Sequence, residues 1–466
     1  MEIRTNIENI NEELILIYNL FRGHILDKGQ IIDVDAVALD GVVCTSIIVN
    51  GVVKLKTSNP FVCKNGEKES KYIKRYAKIA LYRYLSKISR YNAPWGSLTG
   101  IRPTKLFYEL LLDNTYKNAR RIFTKEFLVS NKKCKIVERI IEQQSKISID
   151  HKTIDLYINI PFCVSKCYYC SFISLPLSKC ESLVAPYVDT LIYELRRTFQ
   201  YIQDKGMSIN TVYIGGGTPT AIGVKNLSKI LDELPKNIKE LTVEAGRPDT
   251  IDEEMLDMLH LHNVTRISIN PQSFNDNTLA LIGRSHNAQD VIDKYEMARK
   301  YNFVINMDLI AGLGDETFKD FKYSLDKTIA LNPDNITVHT LSIKRASQLK
   351  MEGGKTSNTK QVEKMVEYAT KKLLKAGYNP YYLYRQKDMI GNFENIGFCR
   401  KGTVCEFNVN SMEETLSVIA NGANAISKKI NYTTNRITRH ANVKNIEQYI
   451  DRIDEMINAK FNLFDN

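Results

Sequence analysis

The chain has 466 residues, of which 43% are apolar and 25% charged, so wholesale disorder and collagen-like repeats are excluded. Its 64 Lys and Arg against 53 Asp and Glu leave a net charge of +11, and an acidic partner is expected: nucleic acid, an anionic membrane surface or a polycarboxylate. No apolar run reaches the about 18 residues of a spanning helix, and the N-terminus has no basic, apolar, small-residue leader pattern. Nine cysteines without such a leader point to free, ligand or catalytic thiols in a reducing cytoplasm.

Residues 1–150 read as an N-terminal α+β domain. Val42 to Thr57 alternates apolar and polar residues around Asn50-Gly51, a two-residue hairpin signal. A loop at Lys64-Asn65-Gly66 precedes a helix expected from about Ser70 to Arg90, with Ile73, Ala77, Ala80, Leu81, Tyr84 and Ile88 as its buried face. From Lys71 to Tyr108 there are nine Lys or Arg and no acid. A solvated basic face is the plain reading. The sharper one is a patch for a multiply anionic ligand, made of Lys71, Lys74, Arg75, Lys78, Arg102 and Lys105 and facing solvent. Six interleaved tyrosines also admit RNA stacking, although Tyr76 and Tyr84 fall on the apolar face; nucleic acid is the less favoured partner. A helix-like stretch from Ile136 to Ile147 leads to a polar junction, and a domain boundary is expected at 148–154.

Beyond it, short apolar strands alternate with amphipathic helices. The strands are Leu156–Ile160, Thr211–Ile214, Leu241–Glu244, Arg266–Ile269, Val304–Leu309 and Ile336–Leu341. Helices are expected near 187–202, 225–234, 253–262, 288–300 and 316–330. The alternation predicts a parallel sheet, closed or partly closed into a barrel over 151–345, with functional groups at the C-terminal strand ends. Residues 346–466 are expected to form a C-terminal extension covering the substrate: a polar loop at 351–360, a helix near 361–376 and a tyrosine-rich segment at 378–384.

Cys163, Cys167 and Cys170 form CxxxCxxC directly after the first strand. Three thiolates on one loop can hold a [4Fe–4S] cluster with one iron left open, whereas structural zinc wants a fourth ligand. Only Cys180 and His151 are candidates for that, neither at zinc spacing. Cys399 and Cys405, spaced CxxxxxC, read as incidental thiols, and Cys44, Cys63, Cys134 and Cys180 as small apolar residues.

The cysteine motif resembles that of the radical S-adenosylmethionine (SAM) enzymes. Tyr157, Ile158 and the IPFC run narrow the resemblance to the oxygen-independent coproporphyrinogen III oxidase family. Gly215-Gly216-Gly217-Thr218-Pro219-Thr220, Glu244 in VEAGRPDT, Gln272 in NPQSF, Arg284 in IGRSH and Asp308 in NMDLIAGL extend it over about residues 155–345. PWGSLTGIRPTK around Trp95 and GNFENIGF at 391–398 look like the HemZ-type branch, coproporphyrinogen dehydrogenase. The resemblance implies an α/β fold, a radical SAM partial (β/α)6 barrel. It implies a [4Fe–4S] cluster on Cys163, Cys167 and Cys170, with SAM held by Tyr157, Tyr169, Gly216, Gly217, Thr218, Glu244, Gln272, Arg284 and Asp308. The open iron would chelate the amino and carboxylate groups of SAM, and electron transfer would leave a 5′-deoxyadenosyl radical. The implied reaction is oxidative decarboxylation of coproporphyrinogen III to protoporphyrinogen IX, with a reduced donor such as flavodoxin or ferredoxin.

Two positions depart from the family. Phe172 stands where the established oxidases carry a further cysteine, as an aromatic does in the heme-handling relatives, and Asn159 replaces the usual histidine. A heme-binding chaperone that keeps the cluster without decarboxylation is the alternative; an RNA-modifying radical enzyme is a third reading.

Overall fold

Alternation at period two places Val43, Thr45, Ile47 and Val49 on one buried face of a strand whose register opposes them to Ala38, Ala36, Val34 and Ile32. That face belongs to a four-stranded sheet in the order β1 (Glu2–Thr5), β2 (Ile31–Leu39), β3 (Val42–Val49) and β4 (Val52–Pro60). The β3–β4 turn is the expected hairpin, with Asn50 at φ 49° and Gly51 at φ 78°. The computed structural model describes residues 2–25, 29–63, 68–100, 102–172, 174–344, 347–354, 356–386, 389–434 and 436–465. The loop expected at Lys64-Asn65-Gly66 lies outside the described residues, as does Lys355 of the 351–360 loop. Two compact units divide the chain, residues 1–138 and 139–466.

In the first unit, helix Glu69–Ser89 packs on the sheet through a face rotated from the expected one. Tyr76, Ala77, Ala80 and Leu81 lie in the core as expected, joined by Tyr72, Ile79, Tyr82 and Leu85, while Ile73 and Tyr84 are half-buried and Ile88 is exposed. Tyrosine can go inside when its hydroxyl finds an acceptor. Tyr76 donates to the Pro60 carbonyl at 3.2 Å and Tyr82 to that of Ala93 at 3.3 Å. The basic segment is not uniformly solvent-facing, which corrects that expectation. Lys78 pairs with Glu13, Lys74 donates to the Asn9 carbonyl at 3.0 Å, and the Arg75 guanidinium sits 5.1 Å over Tyr72 and 5.3 Å over Phe127. Cys44 and Cys63 are exposed, not apolar filler; Cys134 and Cys180 are buried.

The second unit is built on one open sheet. Its strands are β5 (Thr153–Ile160), β8 (Ser208–Gly216), β9 (Glu240–Val243), β10 (Arg266–Ser268), β11 (Val304–Ala311), β12 (Asn335–Thr340), β13 (Asn379–Tyr384), β14 (Asn395–Cys399), β15 (Val418–Asn421), β16 (Ile426–Asn431) and β17 (Arg436–Ala441). A two-stranded ribbon, β6 (Phe162–Cys163) and β7 (Leu175–Pro176), carries the cysteine loop. The order in the large sheet is β13-β14-β12-β11-β10-β9-β8-β5-β15-β16-β17. The six expected strands are consecutive neighbours and all parallel. β15 adds a seventh parallel strand beside β5; β14 and β16 pair antiparallel at the two flanks. Because β12 pairs onward to β14 instead of back to β5, the barrel is partial.

The crossover helices are Glu181–Asp204, Val224–Asp232, Glu253–Leu261, Ala288–Ala298 and Phe318–Leu331. Each presents apolar residues at helical spacing to the outer sheet face, such as Leu227, Ile230 and Leu231. Caps fix where they start. Asp252 accepts from the Met255 amide at 2.8 Å, and Asn287 with Asp290 and Thr317 with Asp320 form capping boxes. The lower barrel is filled by Tyr381, Tyr382, Phe407 and Val409 packed on Tyr157, Tyr213 and Tyr384. Cys399 and Cys405 are buried in this cluster. Among the described residues no helix is long and apolar enough to cross a membrane. Within this unit we propose to treat 151–345 as the core and 346–466 as the covering region.

Candidate cluster and cofactor site

Above the aromatic filling, at the C-terminal ends of the parallel strands, lies a cavity of about 250 Å³. Cys163, Cys167 and Cys170 line one wall; Glu244, Gln272, Arg284 and Asp308 line it too, with Tyr169, Gly216, Gly217 and Thr218. All the predicted site residues except Tyr157 therefore meet at one place. Tyr157 does not line the cavity. Its ring faces Tyr213 and Phe407 below, at 6.2 and 6.1 Å, and its hydroxyl donates to Asn159 Oδ1 at 3.1 Å.

The cysteine loop is held from several sides. Its Tyr168 amide donates to the Ile282 carbonyl at 3.0 Å, Ser165 Oγ to that of Gly283 at 3.2 Å, and the Cys170 amide to that of Cys167 at 3.0 Å. The end of β8 runs directly beneath it. The Gly217 amide donates to the Ile160 carbonyl at 2.8 Å and the Thr218 amide to that of Phe162 at 2.7 Å. A Cβ on Gly217 would stand 2.4 Å from the Phe162 oxygen and 3.0 Å from Cys163 Sγ; one on Gly216, at φ 112°, would stand 2.2 Å from Asn159 Oδ1. These glycines are thus required by strand-to-loop packing, whatever else the site binds.

Each cysteine sulfur has a donor beside it. Thr218 Oγ1 approaches Cys163 Sγ at 3.6 Å, the Phe172 amide serves Cys170, and Arg247 Nη1 lies 3.6 Å from Cys167 Sγ. Arg247 lies in the VEAGRPDT motif, but a lone Arg in a loop carries no spacing signal in the sequence. The remaining guanidinium contacts are to Asp249 at 2.9 and 2.8 Å, Ser165 Oγ at 3.1 Å and Ser285 Oγ at 3.4 Å. Burial pushes the Cys170 thiol up to about 11, so a bound cation would have to displace its proton.

Most of the rest of the lining is polar. Arg284 Nη1 donates to the Gly246 carbonyl at 2.9 Å and Nη2 to the Tyr169 hydroxyl at 3.2 Å. Its Nε, and Gln272 Oε1, are buried with no hydrogen-bond partner among the described residues. Gln272 also holds φ 63°, an uncommon conformation for a residue with a Cβ. Burial pushes the Glu244 carboxyl up to about 7, although Tyr213 donates to it at 2.5 Å. Burial acts on Asp308 the same way, but His339 at 3.6 Å and Asn306 Nδ2 at 2.8 Å outweigh it and hold that carboxyl below the usual range. One wall thus offers a carboxylate and a carboxyl that exchanges its proton near neutrality. His339, Lys166 and Lys344 also line the cavity and were not expected there.

This surround fits an iron–sulfur cluster with an adjoining polar cofactor. Donors aimed at three sulfurs suit thiolates, and the orphaned atoms of Gln272 and Arg284 await a polar ligand. Among the described residues no three His, Cys, Asp or Glu groups gather at single-ion distances. A cubane takes each thiolate on a separate iron, so its cysteines ring a volume rather than meet at a point.

Asn159, at the position where relatives carry histidine, is buried beside the site. Its Nδ2 donates to the Ala423 carbonyl at 2.6 Å, and its own carbonyl accepts from Tyr187 at 2.6 Å. Phe172 is 66% exposed at the cavity rim.

The family model of the Radical SAM superfamily matches residues 157–328. The oxygen-independent coproporphyrinogen-III oxidase-like protein HemZ of Bacillus subtilis (strain 168) is 37% identical over 409 residues, covering 84% of this chain and 82% of that protein. The heme chaperone HemW of the same organism is 34% identical over 195 residues, 40% of this chain and 50% of its own. Among solved structures, the coproporphyrinogen III oxidase HemN from Escherichia coli superposes with a TM-score of 0.53 at 22% identity, covering 68% of this chain and 72% of that one.

Proposed function

This chain belongs to the radical SAM superfamily, in its family of oxygen-independent coproporphyrinogen-III oxidase-like proteins, and we propose that it converts coproporphyrinogen III to protoporphyrinogen IX. Its cofactors are a [4Fe–4S] cluster and SAM, and it needs a reductant. Bound together, they supply a carbon radical able to take a hydrogen atom from the substrate. The observation that carries the proposal is the single cavity where three cysteines face Glu244, Gln272, Arg284 and Asp308 at the parallel strand ends.

In this reading Cys163, Cys167 and Cys170 hold the cluster, while Tyr169, Gly216, Gly217, Thr218, Glu244, Gln272, Arg284 and Asp308 hold SAM. Asp308, kept ionised by His339 and Asn306, suits a hydroxyl or a positive centre; the Arg284 guanidinium suits a carboxylate. Lys166 and Lys344 suit the substrate's propionates, since neither ammonium makes a hydrogen bond or ion pair among the described residues. At each of two propionates a side-chain carbon loses one hydrogen atom; carbon dioxide and one electron then leave, and a vinyl group remains. That electron requires an acceptor. A reduced donor such as flavodoxin or ferredoxin, in the cytoplasm, completes the proposed setting.

Phe172 favours a second reading, heme binding without decarboxylation, because the oxidases' further cysteine is missing at this exposed rim position. Anaerobic incubation of the reconstituted protein with SAM, dithionite, an electron acceptor and coproporphyrinogen III, beside a parallel titration with heme, separates the two. Protoporphyrinogen and carbon dioxide in a ratio of one to two support the first. Stoichiometric heme binding with no product supports the second.

A further inference from the structure

Arg247 is 3% exposed, and its hydrogen-bonding capacity can be counted. A guanidinium has five N–H groups. Here five acceptors are within reach. Nε meets Asp249 Oδ1, Nη2 meets Asp249 Oδ2 and Ser285 Oγ, and Nη1 meets Ser165 Oγ and Cys167 Sγ. Nothing is left over for a substrate or cofactor carboxylate. The Asp249 ion pair at 2.8 Å, with a side chain 19% exposed, fixes the guanidinium in one orientation. Of the three donors beside the cysteine sulfurs, this is the only charged one; Thr218 and the Phe172 amide are neutral.

We propose that Arg247 sets the reduction potential of the cluster through a charge-assisted N–H···S bond to Cys167, with Asp249 as the residue that holds it in place. The proposal rests on the reading of Cys163, Cys167 and Cys170 as cluster ligands. Reduction adds one negative charge to the cluster and its thiolates. A fixed cation and an N–H aimed at one of those sulfurs stabilise the reduced form more than the oxidised form, raising the potential. Arg247 touches a ligand rather than substrate, so it is a positioning and tuning residue.

The test is a mediated redox titration of anaerobically reconstituted full-length protein, without SAM, read by the electron paramagnetic resonance signal of the reduced cluster. Iron and sulfide are measured in parallel. R247Q/D249N removes the cation without stranding the Asp249 carboxylate; R247K keeps the charge against Asp249 but offers fewer donors. We expect R247Q/D249N to keep its iron while its reduced-to-oxidised ratio at a fixed ambient potential falls roughly tenfold, about one charge-assisted hydrogen bond, or about 59 mV for one electron. R247K should shift the same way by less. An R247K midpoint equal to wild type overturns the proposal, even if the double variant does not fold. So does a double variant that loses iron while the remaining clusters titrate as wild type, because that is a merely structural role. C167A is the control on the premise. Full iron and sulfide in C167A overturns the ligand assignment and this proposal with it. Loss of iron in C167A with unmoved Arg247 midpoints overturns the tuning alone.

Discussion

Glu316 is buried in the loop after β11, with Ser273 donating to one carboxyl oxygen and no partner for the other among the described residues. Burial pushes its carboxyl up to about 7 against that hydrogen bond. A carboxyl raised from 4.5 to about 7 binds its proton more tightly in the folded state. Its contribution is full below about pH 4.5 and lost as pH rises through about 7, on the order of 3 kcal/mol at most. Urea midpoints of the metal-free protein should therefore fall over that window, and E316Q should flatten the fall. Asp155, pushed up to about 6 by burial, and Glu244 act in the same direction, so the slope should shrink without vanishing. At the cavity, K166Q/K344Q should raise the KM for a tetracarboxylate porphyrinogen about fivefold, each solvent-accessible charge contributing about 1 kcal/mol or less, and added salt should shrink the difference. The three cysteines were legible from their spacing after a strand end, whereas Glu244, Gln272, Arg284 and Asp308 were legible only through the family resemblance of the motifs that carry them. Arg247, His339 and Lys344 were not, because what makes each matter is a neighbour far along the chain: Cys167, Asp308 and the cavity wall.

The elements show the same division. Six strands and their crossover helices could be read in order, since a buried parallel strand is a short apolar run and each helix carries its own amphipathic period. β15 was missed: it has four residues, and what makes it a strand is its pairing with β5 from more than 250 positions away. β13 was seen only as a tyrosine-rich segment, because its tyrosines serve the barrel filling. In the first unit Tyr76 was rightly placed on the apolar face of helix Glu69–Ser89, but Tyr82 was missed, since periodicity counts tyrosine as half-polar and cannot see the Ala93 carbonyl that satisfies it. The contact between β8's end and the cysteine loop yields a sharp expectation. In G217A the new methyl must displace the Phe162 carbonyl and Cys163, so as-purified iron should fall by more than half while far-ultraviolet circular dichroism stays at wild type. Wild-type iron in G217A would show that the loop yields freely at that point.

At the scale of the second unit, one buried network ties its distant parts together. Glu194 and Lys460 are both fully buried and 2.8 Å apart. Glu194 also accepts from Tyr449, Asn442 and the Gly422 amide, and Lys460 donates to Asn421 Oδ1 at 2.6 Å. K460M strands a buried carboxylate and should cost about 3–5 kcal/mol in chemical denaturation, whereas E194Q/K460M should recover most of it. The turn held by this network continues to Ala423, whose carbonyl accepts from Asn159. Asn159 in turn lies against Gly216, at the root of the cysteine loop. A ribosome makes these parts in the opposite order to their dependence. β5 and the cysteines emerge early, but the strand that flanks β5 and the lysine that neutralises Glu194 emerge some 260 residues later. At about 5–20 residues per second that gap lasts tens of seconds, during which β5 is an uncovered edge and the thiols lack their final support. Metal loading is therefore expected to be a late, post-synthetic event for this chain, and nascent chains arrested before residue 415 should emerge free of iron.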